Sequence, residues 1–539
     1  MFNRPTSQLL ALALLISFGC TFAKVCARAD SPPTAPTPDT SGATTGTTPS
    51  NVETGSASAI AKAPVQFGAI GAPSRASSAA QAPVDKGWTF FGSLRVRFED
   101  QAFFPTPKAN GNYSYLAETL RFGVMRQTKP VDYLFEMEAP GLFGLPTKAV
   151  APAPQGQLGH GATYFATNKS QVASLFLKQA YVRLKQFSDP ANSLKLGRFE
   201  FSDGQETVSP DPNLNWIKQN RISQRLIGPF GFTMVTRSFD GAQFVNNTPK
   251  SNLTLMGVFP TRGAFDLNGW DSLSDVRVVY LADTLPRVSK KSASDARLFY
   301  IYYEDVRNKD IKTDNRPAAA RNGDRTAIRI HTLGAHYARV MDLGSGKADV
   351  MVWVAGQIGD WGLENHGAFA GAAEIGYQFA NCGWKPWIRL CYDRYSGDGN
   401  PNNNQHGTFI PILPTARSYA RYPFFAEANL QDVFGQVILK PSSKLTLRSD
   451  LHALRLAENN DLWYSGGGAF NNSAFGYSGR PSGGKGGLAT LLDLSADYQL
   501  NKTLAITLYT AYANGGGVVG ANFTKRDSGF GYAEVNYKF

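Results

Sequence analysis

The chain has 539 residues, with 54 Lys+Arg against 42 Asp+Glu for a formal net charge of +12, and 12% of it is aromatic. Its 35 Phe, 22 Tyr and 8 Trp are too many for a chain that buries no core, which excludes bulk disorder, and 4 Cys are too few for a disulfide scaffold. After the N-terminus no run of about 18 apolar residues occurs, which excludes a transmembrane helix.

Residues 1–29 read as a secretory signal: Arg4 supplies the charge, Leu9–Phe18 the apolar run, and Ala27-Arg28-Ala29 an A-x-A cleavage site before Asp30. Lipoprotein cleavage before Cys20 is disfavoured, because Ser17-Phe18-Gly19 lacks the aliphatic residue such a site needs. Cleavage after Ala29 removes Arg4, Lys24 and Arg28 and no acid, taking the charge from +12 to +9. It leaves Cys382 in a turn and Cys391 along the next strand, roughly 25 Å apart at about 3.4 Å per residue. A disulfide needs Cα atoms within about 7 Å, so two free thiols are expected. Residues 30–86 form a Pro, Thr, Ser, Ala and Gly tract whose composition cannot offset its ordering entropy. It reads as a disordered leader, with a docking segment for an envelope partner as the alternative.

From residue 87 to 539 the pattern changes. In Trp88–Glu99, Leu94, Val96 and Phe98 share one face, and Arg95, Arg97 and Glu99 the other. The same two-residue period recurs in Lys444–Ala453 and Leu488–Leu500, and it means strands. Eighteen are predicted, near 88–99, 115–127, 131–138, 175–187, 193–200, 237–246, 251–259, 272–284, 295–307, 325–340, 348–360, 366–380, 385–397, 429–440, 444–457, 488–500, 503–514 and 528–539.

Gaps such as Lys129-Pro130, Pro441-Ser442-Ser443 and Asn501-Lys502 are short, whereas Pro140–Ser174, Phe201–Thr236, Asp398–Ala428 and Glu458–Gly487 are long. Short periplasmic turns alternating with long external loops predict an all-β fold, a transmembrane antiparallel β-barrel of about 18 strands. Gly362–Asn365 is short where a loop is due. The last strand alternates Ala533, Val535, Tyr537 and Phe539 with Glu534, Asn536 and Lys538, and ends in Phe like the sorting signal of bacterial outer-membrane proteins. Signal, leader and barrel point to the bacterial outer membrane. In lipid every backbone N–H and C=O must pair internally, so strands can span only as a closed barrel, and one of this size is expected to hold an aqueous channel.

The polar strand face carries Arg95, Arg97, Arg121, Arg183, Lys185, Lys195, Arg277, Arg329, Arg389 and Arg448 as candidate pore residues. Acids share it (Glu136, Glu138, Asp393, Asp450, Asp493, Asp497 and Glu534), giving a mixed lumen with a cationic bias. Arg and Lys rings within a low-dielectric wall favour anions, and Arg grips carboxylates in a bidentate way. The competing reading is that each Arg braces the wall through an acid across the strands.

Two stretches are denser. The first is Gly197-Arg198-Phe199-Glu200-Phe201-Ser202-Asp203-Gly204, followed by Arg221, Arg225 and Arg237-Ser238-Phe239-Asp240-Gly241. The second runs from Tyr392-Asp393-Arg394-Tyr395-Ser396-Gly397-Asp398-Gly399 to Thr408-Phe409-Ile410-Pro411-Ile412-Leu413-Pro414-Thr415. Both resemble the bacterial alginate export porin family, in which a G-R-x-E strand end, an R-x-F-D-G strand and an S-G-D…T-F…L-P-T segment recur. The resemblance covers most of residues 88–539. It implies an outer-membrane barrel passing an anionic polysaccharide through an Arg-rich constriction, with Arg198, Glu200, Arg237 and Asp240 at that constriction and Phe201–Thr236 folding over or into the pore. Strict alternation, however, puts Arg198 on the face of Leu194 and Leu196, so the strand must bulge there or have left the membrane.

Asp398–Asn404 offers alternate oxygens like the start of a calcium loop, but no Glu stands at position 12 and Pro401 intrudes. The six His show no H-x-x-x-H spacing, and no metal or cofactor is expected. There is no G-x-S-x-G elbow or P-loop, and Ser449 and His452 point to opposite strand faces, so an enzyme is not expected. Basic residues spread over strands instead of forming a patch, which argues against nucleic acid. The reading is a passive outer-membrane channel for an anionic polysaccharide or small anions. It sits in outer-membrane lipid as a monomer, with periplasmic secretion partners. A general or oligosaccharide uptake porin is the alternative, and a hydrolase at the barrel rim a third.

Overall fold

The computed structural model describes Asp85 and residues 87–539, except 308–310, 414–420, 423 and 467–476. The signal and leader assigned to 1–29 and 30–86 lie outside the described residues.

One antiparallel sheet closes on itself. Its strands are β1 (Thr89–Ala102), β2 (Asn112–Gln127), β3 (Val131–Phe143), β4 (Phe176–Lys185), β5 (Asn192–Phe199), β6 (Phe239–Asn247), β7 (Asn252–Pro260), β8 (Val276–Val288) and β9 (Ser292–Asp305). They continue as β10 (Ile328–Leu343), β11 (Gly346–Trp361), β12 (Glu364–Gln378), β13 (Trp387–Tyr395), β14 (Leu430–Leu439), β15 (Leu445–Arg455), β16 (Gly487–Gln499), β17 (Leu504–Gly515) and β18 (Asp527–Lys538). Each strand pairs with its neighbour in sequence, and β18 pairs with β1 from Ser93↔Lys538 to Ala102↔Gly529. At the seam Gly92 N–H donates to Phe539 O at 3.0 Å and Phe539 N–H to Gly92 O at 3.1 Å. The eighteen predicted strands are all present. The two-residue strand Gln405–His406 adds a parallel pairing at the loop end of β12.

Closure satisfies the ladder without an edge, and alternation sorts the side chains. Leu253, Leu255 and Phe259 of β7, Val352, Val354 and Ile358 of β11, and Leu492 and Leu494 of β16 are exposed on the outside. Their inward neighbours, such as Met256, Trp353 and Asp493, are buried. An apolar exterior over a polar, filled interior is the arrangement lipid demands. Among the described residues no helix is long and apolar enough to cross a membrane. The tight turn Gly362-Leu363 at the loop end works because Gly362 adopts φ +66°.

The long loops carry α1 (His160–Asn168), α2 (Pro212–Ile217), a π-helical turn (Lys218–Ile222), α3 (Ala318–Gly323), a hairpin of Leu462–Gly466 with Tyr477–Pro481, and α4 (Gly517–Asn522). Cys391 is a buried free thiol, but Cys382 is disulfide-bonded, which corrects the expectation of two free thiols. The distance argument kept Cys382 from Cys391 only. It took Cys20 and Cys26 as removed with the signal, and these lie outside the described residues.

Candidate functional site

The lumen is occupied by its own loop. After β5 the chain turns inward and descends to the short-turn end, where α2 begins at Pro212, with Asp211 capping Asn213 N–H at 2.9 Å and Leu214 N–H at 3.0 Å. There Asp211 pairs with Lys347 at 2.6 Å, Asn213 donates to Gln378 at 2.8 Å, and Trp216 packs on Trp387 with centroids 5.0 Å apart. All three wall partners lie near the short-turn ends of β11, β12 and β13.

Climbing back, the plug inserts cations between wall carboxylates. Lys218 Nζ lies 2.7 Å from Asp295 on β9. Arg221 lies 2.8 Å from Glu374 on β12 and 3.7 Å from Asp393 on β13. Arg225 lies 3.6 Å from Glu374 and 3.5 Å from Asp393, and donates to the Tyr395 hydroxyl at 2.9 Å. The wall's Arg389 pairs with Glu374 at 2.8 Å and Asp349 at 3.0 Å. The polarity reverses at Arg297 of β9, which holds the plug's Glu206 at 3.0 Å and Asp203 at 3.4 Å. Burial pushes the Asp203 carboxyl up to about 6 against the pull of Arg297.

Residues 230–236 then cross to β1–β3. Arg95 donates to Gly231 O at 2.9 Å and also to Thr233 O. Arg97 donates to Phe232 O at 2.9 Å, Glu99 at 3.1 Å and Glu534 at 2.6 Å. Arg121 pairs with Glu138 at 2.8 Å and Glu200 at 3.0 Å, and Glu138 accepts Thr236 N–H at 3.0 Å. The second dense stretch meets the first here: Ile227 and Leu413 form a parallel bridge, with Gly228 N–H to Leu413 O at 2.8 Å and Leu413 N–H to Leu226 O at 2.7 Å. In the same region burial pushes the Glu427 carboxyl up to about 8.

The expected constriction quartet splits. Glu200 lies in the lumen, 3.0 Å from Lys178, and Arg237 is buried beside it with its carbonyl accepting Lys178 at 2.7 Å. Arg198 and Asp240 are cross-strand partners at the loop end, on the outward series of Leu194 and Leu196. The Arg198 guanidinium bonds Asp240 at 2.7 and 2.8 Å and the carbonyls of Leu177, Gly269 and Trp270 at 3.1, 3.2 and 2.8 Å. It is a rim brace under the loop 261–275, which corrects its placement in the pore. β5 keeps its register instead of bulging, so alternation decides the matter.

Arg277 and Arg329 also leave the pore list. Both face outward at the loop end and flank Glu304, at 3.1 and 3.0 Å. Their neighbours Val278 and Ile330 point inward, because β8 and β10 are apolar on both faces and a basic residue no longer marks the lumen side.

Arg448 faces inward, bonded to Asp450 at 2.6 Å. Arg183, Lys185 and Lys195 face the lumen at the short-turn end. Arg183 Nε donates to Asp132 at 2.8 Å, Lys185 lies 2.7 Å from Asp132, and Lys195 stands over the rings of Tyr181 and Phe199, each at 5.0 Å. Arg183 and Lys195 oppose each other in register, and all three remain half-buried where most lumen charges are fully buried.

The sequence reading named Arg221 and Arg225 without a role, and missed Lys178, Lys218, Asp295, Arg297, Asp349 and Glu374. Glu374 closes the inward run Ala368, Ala370, Ala372, and a carboxylate at the end of a small-residue run was the available signal. The Asp398–Asn404 oxygens turn back on their own loop, with Asp398 accepting Asn400 N–H at 3.0 Å and Asn400 accepting Asn402 N–H at 3.2 Å.

The sequence profile described as Alginate export matches residues 88–527. A search of curated proteins finds no match. Among solved structures, the Pseudomonas aeruginosa protein OccK9 (OpdG) superposes with a TM-score of 0.52 at 11% identity, over 84% of this chain and 98% of that one. Pseudomonas aeruginosa OpdK, solved with vanillate, gives 0.51 at 9% identity, over 84% and 98%. The fold and the profile place the chain in the bacterial outer membrane as a channel.

Proposed function

Because the chain belongs to the alginate export family, we propose that it passes an anionic polysaccharide or other anions, and that the loop 201–238 is the gate of that path. The observation that carries this is the Arg183–Lys185–Lys195 cluster. Like charges directly opposite on neighbouring strands destabilise a sheet. Here Arg183 faces Lys195 in register, and Asp132 is the carboxylate bonded to the group. The cluster lies at the end of the short turns, the periplasmic end in an outer-membrane barrel. A uronate carboxylate fits between these cations, which attract it before it meets the plug. Tyr181 beside Lys195 offers a sugar ring an apolar face.

The gate follows from how the plug is held. It is held to the wall by ion pairs, hydrogen bonds and apolar packing such as Trp216 on Trp387 and Phe201 on Tyr280, while the wall's own strand ladders pair strand to strand without it. The test is planar-bilayer recording of wild type and Arg183→Glu/Lys195→Glu. The double variant is expected to shift the reversal potential toward cations and to weaken polyuronate block from the periplasmic side at least tenfold. Unchanged selectivity and block would refute the assignment, and block by neutral oligosaccharides instead would favour sugar uptake.

A further inference from the structure

Away from the plug's latches, three neighbouring strands bring together a donor set that no linear spacing shows. On β15, Asp450 and His452 both face inward, and the register sets Asp493 of β16 opposite Asp450. One oxygen of each aspartate and one ring nitrogen of His452 lie within 4.8 Å of one another. Asp432 on β14 accepts from His452 Nδ1 at 2.7 Å, and the ring stacks on Phe434 with centroids 4.5 Å apart. This fixes the tautomer and leaves Nε2, which is fully buried and has no hydrogen-bond partner. A histidine held at one nitrogen by a carboxylate and free at the other is the orientation that metal sites use.

The charges ask for the same thing. Asp432, Asp450 and Asp493 are all buried, and the cation bonded to them is Arg448, 2.6 Å from Asp450. Gln436 donates to Asp450 at 2.9 Å and Tyr509 to Asp493 at 3.0 Å, but these are neutral donors. Three carboxylates against one guanidinium leave two negative charges with His452 neutral, and one even with His452 protonated on Asp432, so this buried setting needs a compensating cation. We propose that Asp450, His452 and Asp493 bind a divalent transition metal of the Zn²⁺ class, with Asp432 as the positioning residue for His452. One imidazole with two carboxylates suits Zn²⁺ better than Ca²⁺ or Mg²⁺, which take all-oxygen sets. The metal ties β15 to β16 from inside, and its fourth position is left to water.

The experiment uses the full, untagged chain in detergent, stripped with a chelator and titrated with ZnCl₂, CoCl₂ or CaCl₂. One equivalent of Zn²⁺ is expected, with a raised unfolding temperature and Co²⁺ absorption bands of a four-coordinate nitrogen- and oxygen-ligated site. His452→Gln and Asp493→Asn are each expected to lose that equivalent while keeping heat-modifiable gel migration, the mark of a folded barrel. Should a variant fail to fold, the wild-type Co²⁺ spectrum still reports nitrogen ligation. No stoichiometric Zn²⁺ in wild type, which would mean that a shared proton stands in its place, overturns the proposal. So does an equivalent retained by both variants, or binding of Ca²⁺ in preference to Zn²⁺.

Discussion

Glu374→Gln isolates the latch that keeps the plug against β12 and β13. The wild-type carboxylate lies 2.8 Å from Arg221, 3.6 Å from Arg225 and 2.8 Å from Arg389, so one anion serves three guanidiniums. The amide keeps the shape and removes the charge. Breaking a buried pair by removing one partner costs about 3–5 kcal/mol. The lower figure applies here, because Asp393 still reaches Arg221 and Arg225, at 3.7 and 3.5 Å, and Asp349 still holds Arg389 at 3.0 Å. About 3 kcal/mol at about 1.4 kcal/mol per tenfold is a rise of roughly 150-fold in the population with residues 218–225 released. Single-channel recording should show openings to small ions becoming that much more frequent, and limited proteolysis should cut near Arg221 and Arg225. The barrel should stay folded, since β12 keeps its ladder to β11 and β13. Unchanged gating together with an uncut loop would show that the plug is a fixed part of the wall.

Two further outcomes follow from the lumen and the rim. Burial holds the Glu427 carboxyl at about 8, so the docked loop is favoured while this group is protonated. That contribution is complete below the unfolded value of about 4.3 and lost as pH rises through the folded one. Opening should therefore become more frequent from about pH 4 to about pH 8 and level off above that, and Glu427→Gln should flatten the rise. Arg198→Glu, at the outward rim, should leave the reversal potential unchanged while lowering the temperature of barrel unfolding in detergent, because it sets a carboxylate against Asp240 and frees the carbonyls of Leu177, Gly269 and Trp270.

Period-two alternation made the barrel legible, since a one-residue error would turn a whole strand's apolar set inside out. It located the lumen side wherever a strand is polar on one face, as at Arg95, Arg97, Arg121, Arg183, Arg389 and Arg448. It failed where both faces are apolar. β8 buries Val276, Val278 and Tyr280 against the plug while Val279 and Leu281 meet lipid, so nothing in the string marks Arg277 as outward. The plug's path was beyond reach for a different reason. Lys218, Arg221 and Arg225 find Asp295, Glu374 and Asp393 across the lumen, and pairings this distant in sequence leave no local periodicity. The Asp450–His452–Asp493 cluster is hidden likewise, because the third residue comes from another strand.

A polyanion cannot use every route past the plug equally. Drawing residues 212–226 off β9–β13 would bare Asp295, Glu374 and Asp393, three carboxylates that repel a polyanion. On the opposite wall the cations belong to the barrel itself, from Arg183 and Lys195 up to Arg121, Arg97 and Arg95. There the plug offers Arg95 only backbone carbonyls, those of Gly231 and Thr233. A hydrogen bond between two ionised groups is roughly twice as strong as a neutral one, so a uronate carboxylate displaces those carbonyls favourably. For the proposed anionic substrate the path is therefore expected along β1–β5, shifting residues 230–236. Arg95→Gln should remove one charged hydrogen bond, worth about 1.5–3 kcal/mol, and weaken polyuronate block by roughly 10- to 150-fold. Glu374→Gln, which opens the other side, should leave polyuronate affinity within about twofold of wild type, the scatter expected of a site remote from the contact. The reverse ranking in competition recordings would place the polymer against β9–β13 and refute this route.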